Sequence, residues 1–299
     1  MANPEGNFDI RIIGERINPG FKSTKALFDN QDLPGIQALA VKQAEAGAAY
    51  LNVNVGARAK TDPQWMATVI RAIQEVVDTP LSFDFPSLAV QEVCMQSYDP
   101  AKAKGRLPIL NSITEHRWEL MELARDFRFK VILMASERVE DGKALANKSA
   151  EEIYATARRG ALRLVREHGL QLDDVFIDMS VSAIIADTEG LNASTLDAIR
   201  RIGADPELRG VHMMGGLSNI GQQLPPKAAD GSDLKHALEC AFLTLAVPHG
   251  FDFVLGTPWR GYHALPDDHY VLATYRNFLE QRGSNALRAV RRFYKAATP

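Results

Sequence analysis

Short apolar runs alternate with amphipathic stretches along almost the whole chain. Apolar runs at 9–14, 49–55, 80–85, 106–111, 130–134, 174–178, 208–214 and 251–256 read as strands. Each is too short for a helix and reads as buried on both faces, as parallel strands are. Between them, segments 34–47, 62–77, 86–97, 112–127, 149–168, 193–203, 233–247 and 267–281 carry apolar residues at helical spacing. Several have start and stop signals: Pro34 and Gly47, Asp62 before Pro63, Ser112 or Thr114 ahead of Glu115, and Ser149. Eight strands alternating with eight helices predict an α/β fold, a single (β/α)8 TIM barrel. One domain over 1–299 is expected, closing in a basic helical tail at Arg288 to Lys295. An open doubly wound sheet is the structural alternative, but no Gly-x-Gly-x-x-Gly turn follows the first strand. Residues 135–148 read as a long polar loop, a candidate lid.

Composition narrows the function classes. The chain has 299 residues, 46% hydrophobic and 24% charged, with a formal net charge of −3. Charges of both signs are mixed, which gives no footprint for nucleic acid or a membrane surface. The two cysteines, Cys94 and Cys240, form neither a zinc signature nor a disulfide framework and read as buried thiols of a cytoplasmic protein. The first residues lack the basic and apolar regions of a signal peptide. No apolar run is long enough to span a bilayer.

A barrel of this kind carries its site at the carboxyl ends of the strands. There the sequence places Glu15 and Asn18, Asn52 and Asn54, Asp84, Asn111, Asp178, and then Ser218, Asn219 and Gln222 beyond Gly215-Gly216. Asn52 reads as structural, and His212 as a satisfied core histidine. His116, His263 and His269 are scattered, so no metal ligands are assigned. No Gly-x-Ser-x-Gly elbow supports acyl transfer. Carboxylates and carboxamides suit a planar heterocycle such as a pterin or purine. A carboxylate accepts two parallel N–H bonds from an amino-pyrimidinone edge, and an amide sets a donor beside an acceptor.

Several motifs fall in a familiar order: Gly14-Glu-Arg-Ile-Asn18, Leu51-Asn-Val-Asn-Val-Gly56, Phe83-Asp84, Leu110-Asn111-Ser112, Phe176-Ile-Asp178 and Gly216-Leu-Ser-Asn-Ile-Gly-Gln222. Over about residues 10–224 the chain resembles the pterin-binding methyltransferases, above all the methyltetrahydrofolate:corrinoid methyltransferases, whose barrel is related to dihydropteroate synthase. The resemblance implies a pterin held by Asp84, Asn111 and Asp178, with Asn219 at the pterin N5 and Gln222 as a second amide. It implies methyl transfer between tetrahydrofolate (as 5-methyltetrahydrofolate when loaded) and a corrinoid such as cobalamin, free or on a partner protein. It also implies a homodimer. Two departures stand out: Asn52 replaces a frequent Asp, and 255–263 lacks the Lys-x-x-Arg-x-His pattern of dihydropteroate synthase. A dihydropteroate synthase-like transferase and a non-catalytic folate-binding barrel are the alternatives.

Overall fold

The structure, a computed structural model, describes residues 8–295. The N-terminal residues read above for a leader, 1–7, lie outside it. In chain order the strands are β1 (Arg11–Ile17), β2 (Tyr50–Val53), β3 (Leu81–Asp84), β4 (Ile109–Ile113), β5 (Lys130–Met134), β6 (Glu137–Glu140), β7 (Lys143–Ala146), β8 (Val175–Asp178), β9 (His212–Gly216) and β10 (Phe251–Gly256). The helices are α1 (Lys25–Asp29), α2 (Leu33–Glu45), α3 (Arg58–Thr61), α4 (Pro63–Gln74), α5 (Leu88–Ser97), α6 (Ala150–His168), α7 (Leu191–Ala204), α8 (Leu234–Ala246), α9 (Tyr270–Leu279) and α10 (Gly283–Arg292). Eight strands close a parallel barrel in the order β1-β10-β9-β8-β5-β4-β3-β2. This is the (β/α)8 barrel that the alternation predicts.

The local signals act as expected at several helix starts. Asp62 accepts from Trp65 N at 3.2 Å and caps α4. Ser149 and Glu152 form a reciprocal capping box on α6. Other expectations give way. Segment 115–125 is a 3-10 helix broken at Arg117, not an α-helix, although Thr114 does cap it. The polar loop at 135–148 contains the antiparallel hairpin β6–β7. Asp141 and Gly142, both at positive φ, make its turn. The first strand runs on to Ile17, so Glu15 lies within β1 rather than after it.

Two apolar layers hold the barrel. Leu51, Phe83, Leu110, Val131, Leu133, Ile177 and Val254 are fully buried and belong to the cluster that joins the strands to the helices. A separate inner cluster, Ile13, Ile109, Ile132, Phe176, Met214 and Phe253, fills the barrel. The floor, at the amino ends of the strands, is sealed by aromatic and ionic groups. Phe176 packs on Phe253 and on His212, both at 4.8 Å between centroids. Arg11 lies 4.1 Å over Phe253 and pairs with Asp252 at 2.8 Å. His212 meets Asp252 at 2.7 Å and Asp173 at 3.2 Å, so it is a satisfied structural histidine.

Candidate pterin site

At the other end the strands deliver polar side chains into a shared mouth. Parallel register sets Asp84 opposite Asn111, and β2 runs beside β3. The result is a network centred on Asn52. Asn52 Nδ2 donates to Asp84 Oδ2 at 3.0 Å, and its Oδ1 accepts from Asn111 Nδ2 at 3.1 Å and Ser82 Oγ at 3.2 Å. Asn54 Nδ2 also donates to Asp84 Oδ2, at 3.1 Å, while its Oδ1 caps the turn at Gly56. Asn52 is only 1% exposed, as the structural reading expects. It shapes the mouth all the same. By occupying Asp84 Oδ2 it leaves Oδ1, which accepts from no donor among the described residues.

Glu15 anchors the opposite wall. Its carboxylate is buried and accepts from Ser218 Oγ and Thr257 Oγ1, both at 3.1 Å. Burial pushes its carboxyl up from the ordinary range; the two hydroxyls pull it back, and the charge of Glu239 adds to the rise. Thr257 escaped the sequence reading because its role depends on β1 and β10 being neighbours, which only barrel closure creates.

Asn219 ends a short 3-10 turn, Leu217–Asn219, directly after β9. Its Oδ1 accepts from Gln222 Nε2 at 2.7 Å. Its Nδ2 donates to nothing among the described residues. A Cβ on Gly216 would lie 3.2 Å from that nitrogen, so glycine leaves the amide its room. Asn18 Oδ1 is committed to its own loop, accepting from Gly20 N at 2.7 Å.

Asp178 sits at the end of β8 and accepts from Ser180 N at 2.7 Å. Desolvation raises its carboxyl to about 6, and the neighbouring charge of Asp84 adds to the rise. Asp84 and Asp178 are near enough for their charges to interact, and each keeps an oxygen that accepts from no donor among the described residues.

A cavity of about 270 Å3 is bounded by Glu15, Asn18, Asn52, Asp84, Ser218, Asn219 and Gln222, with Gly20, Phe21, Gly216 and Leu255. Seven of the residues named from sequence therefore meet in one place. Asn54, Asn111 and Asp178 lie outside its walls; the first two act through Asn52 and Asp84. The volume falls below the ~300–1,000 Å3 of drug-sized sites, which suits a bicyclic head group with the remainder outside. A larger groove of about 940 Å3 runs along the outer face of α6. Its Arg158, Arg159 and Arg163 already pair with Asp205, Glu115 and Glu167, and no strand end reaches it. We place the chemistry at the barrel mouth.

The profile of the family described as "Pterin binding enzyme" matches residues 15–255, from the Glu15 anchor to the last strand. The chain belongs to that family. It is 25% identical over 260 residues to a methylcorrinoid:tetrahydrofolate methyltransferase of Eubacterium limosum, covering 83% of this chain and 84% of that protein. Among solved structures it resembles the dihydropteroate synthases of Thermus thermophilus and Stenotrophomonas maltophilia. The first superposes with a TM-score of 0.58 at 18% identity, over 90% of this chain and 94% of the other. The second gives 0.57 at 19%, over 97% and 94%. At such identities these two likenesses bear on the fold alone. As a member of this family, the chain is a pterin-binding enzyme. No helix among the described residues is long and apolar enough to cross a membrane.

Proposed function

We propose that this pterin-binding enzyme moves a methyl group between a corrinoid and N5 of tetrahydrofolate. The observation that carries the reading is the Asn219 amide. It lines the cavity, its Oδ1 accepts from Gln222 Nε2, and it keeps an unspent N–H and a second carbonyl lone pair. The methyltransferase relative supports the same reaction, and its name supports the direction from methylcorrinoid to tetrahydrofolate.

The unpaired oxygen of Asp84 would accept an N–H of the pterin's amino-pyrimidinone edge inside the cavity, and Asp178, behind the cavity wall, would accept a further N–H from a ring that reaches past Asp84. N5 would then face Asn219. In the direction toward folate, the N5 electron pair forms the new N–C bond, and N5 gains positive charge. Its N–H becomes a stronger donor as that charge develops. A hydrogen bond from N5–H to Asn219 Oδ1 therefore tightens toward the transition state, which is the condition for catalysis by binding. The proton leaves to water at the open mouth. A neutral amide serves here better than a carboxylate, which would bind the charged product more tightly and slow its release.

The corrinoid supplies the methyl group and retains the bonding electron pair. The cavity walls carry no His, Cys or Met that would ligate its cobalt, so the donor set fits a visiting co-substrate, free or carried on a partner protein. The experiment is anaerobic incubation with tetrahydrofolate and methylcobalamin, following the corrinoid spectrum and the folate product. The expected result is loss of methylcobalamin matched by 5-methyltetrahydrofolate. Pyrophosphate release with an aminobenzoate co-substrate and no methyl transfer would instead establish a synthase.

A further inference from the structure

A second cluster of chemically able side chains stands apart from the mouth. His236 and Cys240 lie one turn apart on α8, and His263 follows β10. The fold brings together what looks scattered in sequence. His236 Nε2 lies 3.8 Å from Cys240 Sγ, and His263 Nδ1 lies 3.9 Å from the same sulfur. One ligand atom from each residue lies within 4.8 Å of the others. His263 Nδ1 also lies 3.1 Å from Gly261 O, a contact it would give up to a metal. A tetrahedral zinc ion, with bonds of about 2.3 Å to sulfur and 2.0–2.1 Å to nitrogen, sets S and N roughly 3.5 Å apart. The two S–N edges need a contraction of only a few tenths of an ångström, while the two ring nitrogens, within 4.8 Å of each other, would close further by side-chain rotation.

An independent observation concerns the far side of His236. Its Nδ1 and Glu239 Oε2 are both buried, and neither has a hydrogen-bond partner among the described residues. They face each other at 3.9 Å. Glu239 is 3% exposed, and its other oxygen is held by Arg260 at 3.2 Å. A histidine that gives one nitrogen to a metal turns its other N–H to a carboxylate. Glu239 stands in that position, and metal binding would draw the two orphaned atoms together.

We propose that His236 Nε2, Cys240 Sγ and His263 Nδ1 form a zinc site with a fourth position for water. The ion would pin the segment after β10 onto α8. That segment also carries Thr257, which holds Glu15, and Tyr262, whose ring lies 5.9 Å from that of His236. The site would brace one wall of the mouth and take no part in the reaction.

The test uses the full chain stripped by a chelator. Zn2+ is titrated by calorimetry, and Co2+ serves as a spectroscopic probe. One equivalent of each should bind, with a Co2+–thiolate charge-transfer band in the near ultraviolet. Cys240→Ser should lose the band and weaken zinc binding at least a hundredfold. His263→Ala, on a loop and safe for folding, should weaken it tenfold or more. Cys94→Ala and His269→Ala should leave both readouts unchanged. Absence of stoichiometric uptake by the wild type, or uptake and absorption unaffected by Cys240→Ser and His263→Ala, would overturn the proposal.

Discussion

Asn219 combines a tethered oxygen with an unspent N–H, and the two have different jobs. Gln222 Nε2 tethers the oxygen. On the proposed reading, the remaining hydrogen-bonding capacity serves the ligand. Replacing Asn219 by Ala should therefore lower methyl transfer by roughly one to three orders of magnitude, the scale of one lost transition-state hydrogen bond. Pterin affinity, which the proposal assigns to the carboxylates, should change much less. Single-turnover kinetics beside calorimetric titration separates the two; equal losses in both would assign Asn219 to ground-state binding. Asp178 leads to a pH effect. Its carboxyl is raised to about 6, so lower pH replaces an acceptor of N–H groups by an O–H donor. Pterin binding should weaken about tenfold between neutral pH and pH 5, since one unit below the pKa leaves about a tenth of the group ionised. Stability moves the opposite way. The group favours the folded state fully below its ordinary pKa, and that contribution is lost as pH rises through about 6. Asp178→Asn should bind pterin weakly and independently of pH across this window, as calorimetry over a pH series would reveal.

At the scale of elements, register decides what the mouth can do. Adjacent β2, β3 and β4 bring Asn52, Asp84 and Asn111 within bonding distance. Asn52→Leu would strip a donor from Asp84 and an acceptor from Asn111 and Ser82. It should cost about 1–3 kcal/mol, the range for leaving buried polar groups unpaired, measured as a lower urea midpoint. Much of this architecture could be read in advance, and the reason is local. Asp84 and Asp178 end apolar strands, and parallel strands point such residues at one rim whatever the strand order; Asn111, expected at the end of its strand, lies in the middle of β4, which runs on to Ile113. Capping is equally local, which is why Asp62 and Ser149 act as their sequence contexts suggest. What escaped depends on contacts distant in sequence. The partnership of Thr257 with Glu15 requires β10 to lie beside β1, and the meeting of His263 with Cys240 requires the last loop to fold onto α8. The hairpin at 137–146 is hidden because its strands are only four residues each: Glu137–Glu140 is mostly charged, and Lys143–Ala146, though mostly apolar, is exposed and too short to stand out as a core strand.

For the whole molecule, closure joins the first strand to the last, so no stretch of barrel can open without exposing the rest. We expect one cooperative thermal transition, coincident by circular dichroism and calorimetry; two separable transitions would contradict the single-domain reading. A tetrahydropterin at a hundredfold excess over its Kd should add about 2.7 kcal/mol through mass action. That corresponds to a rise of several degrees, at roughly 2–4 °C per kcal/mol for domains of about this size.

The sealed floor has a further consequence for traffic. Arg11, His212, Phe176 and Phe253 stop the amino-terminal end of the barrel, so the rim is the doorway. On the methyl-transfer reading, folate and the corrinoid queue for the same entrance. If the corrinoid arrives on a carrier protein, folate should take its seat first, because a docked carrier would stand in its path, and methylated folate should leave only after the carrier has withdrawn. The carrier's residence time would then be part of the turnover clock, and a carrier that clings too long would slow the enzyme without touching its chemistry.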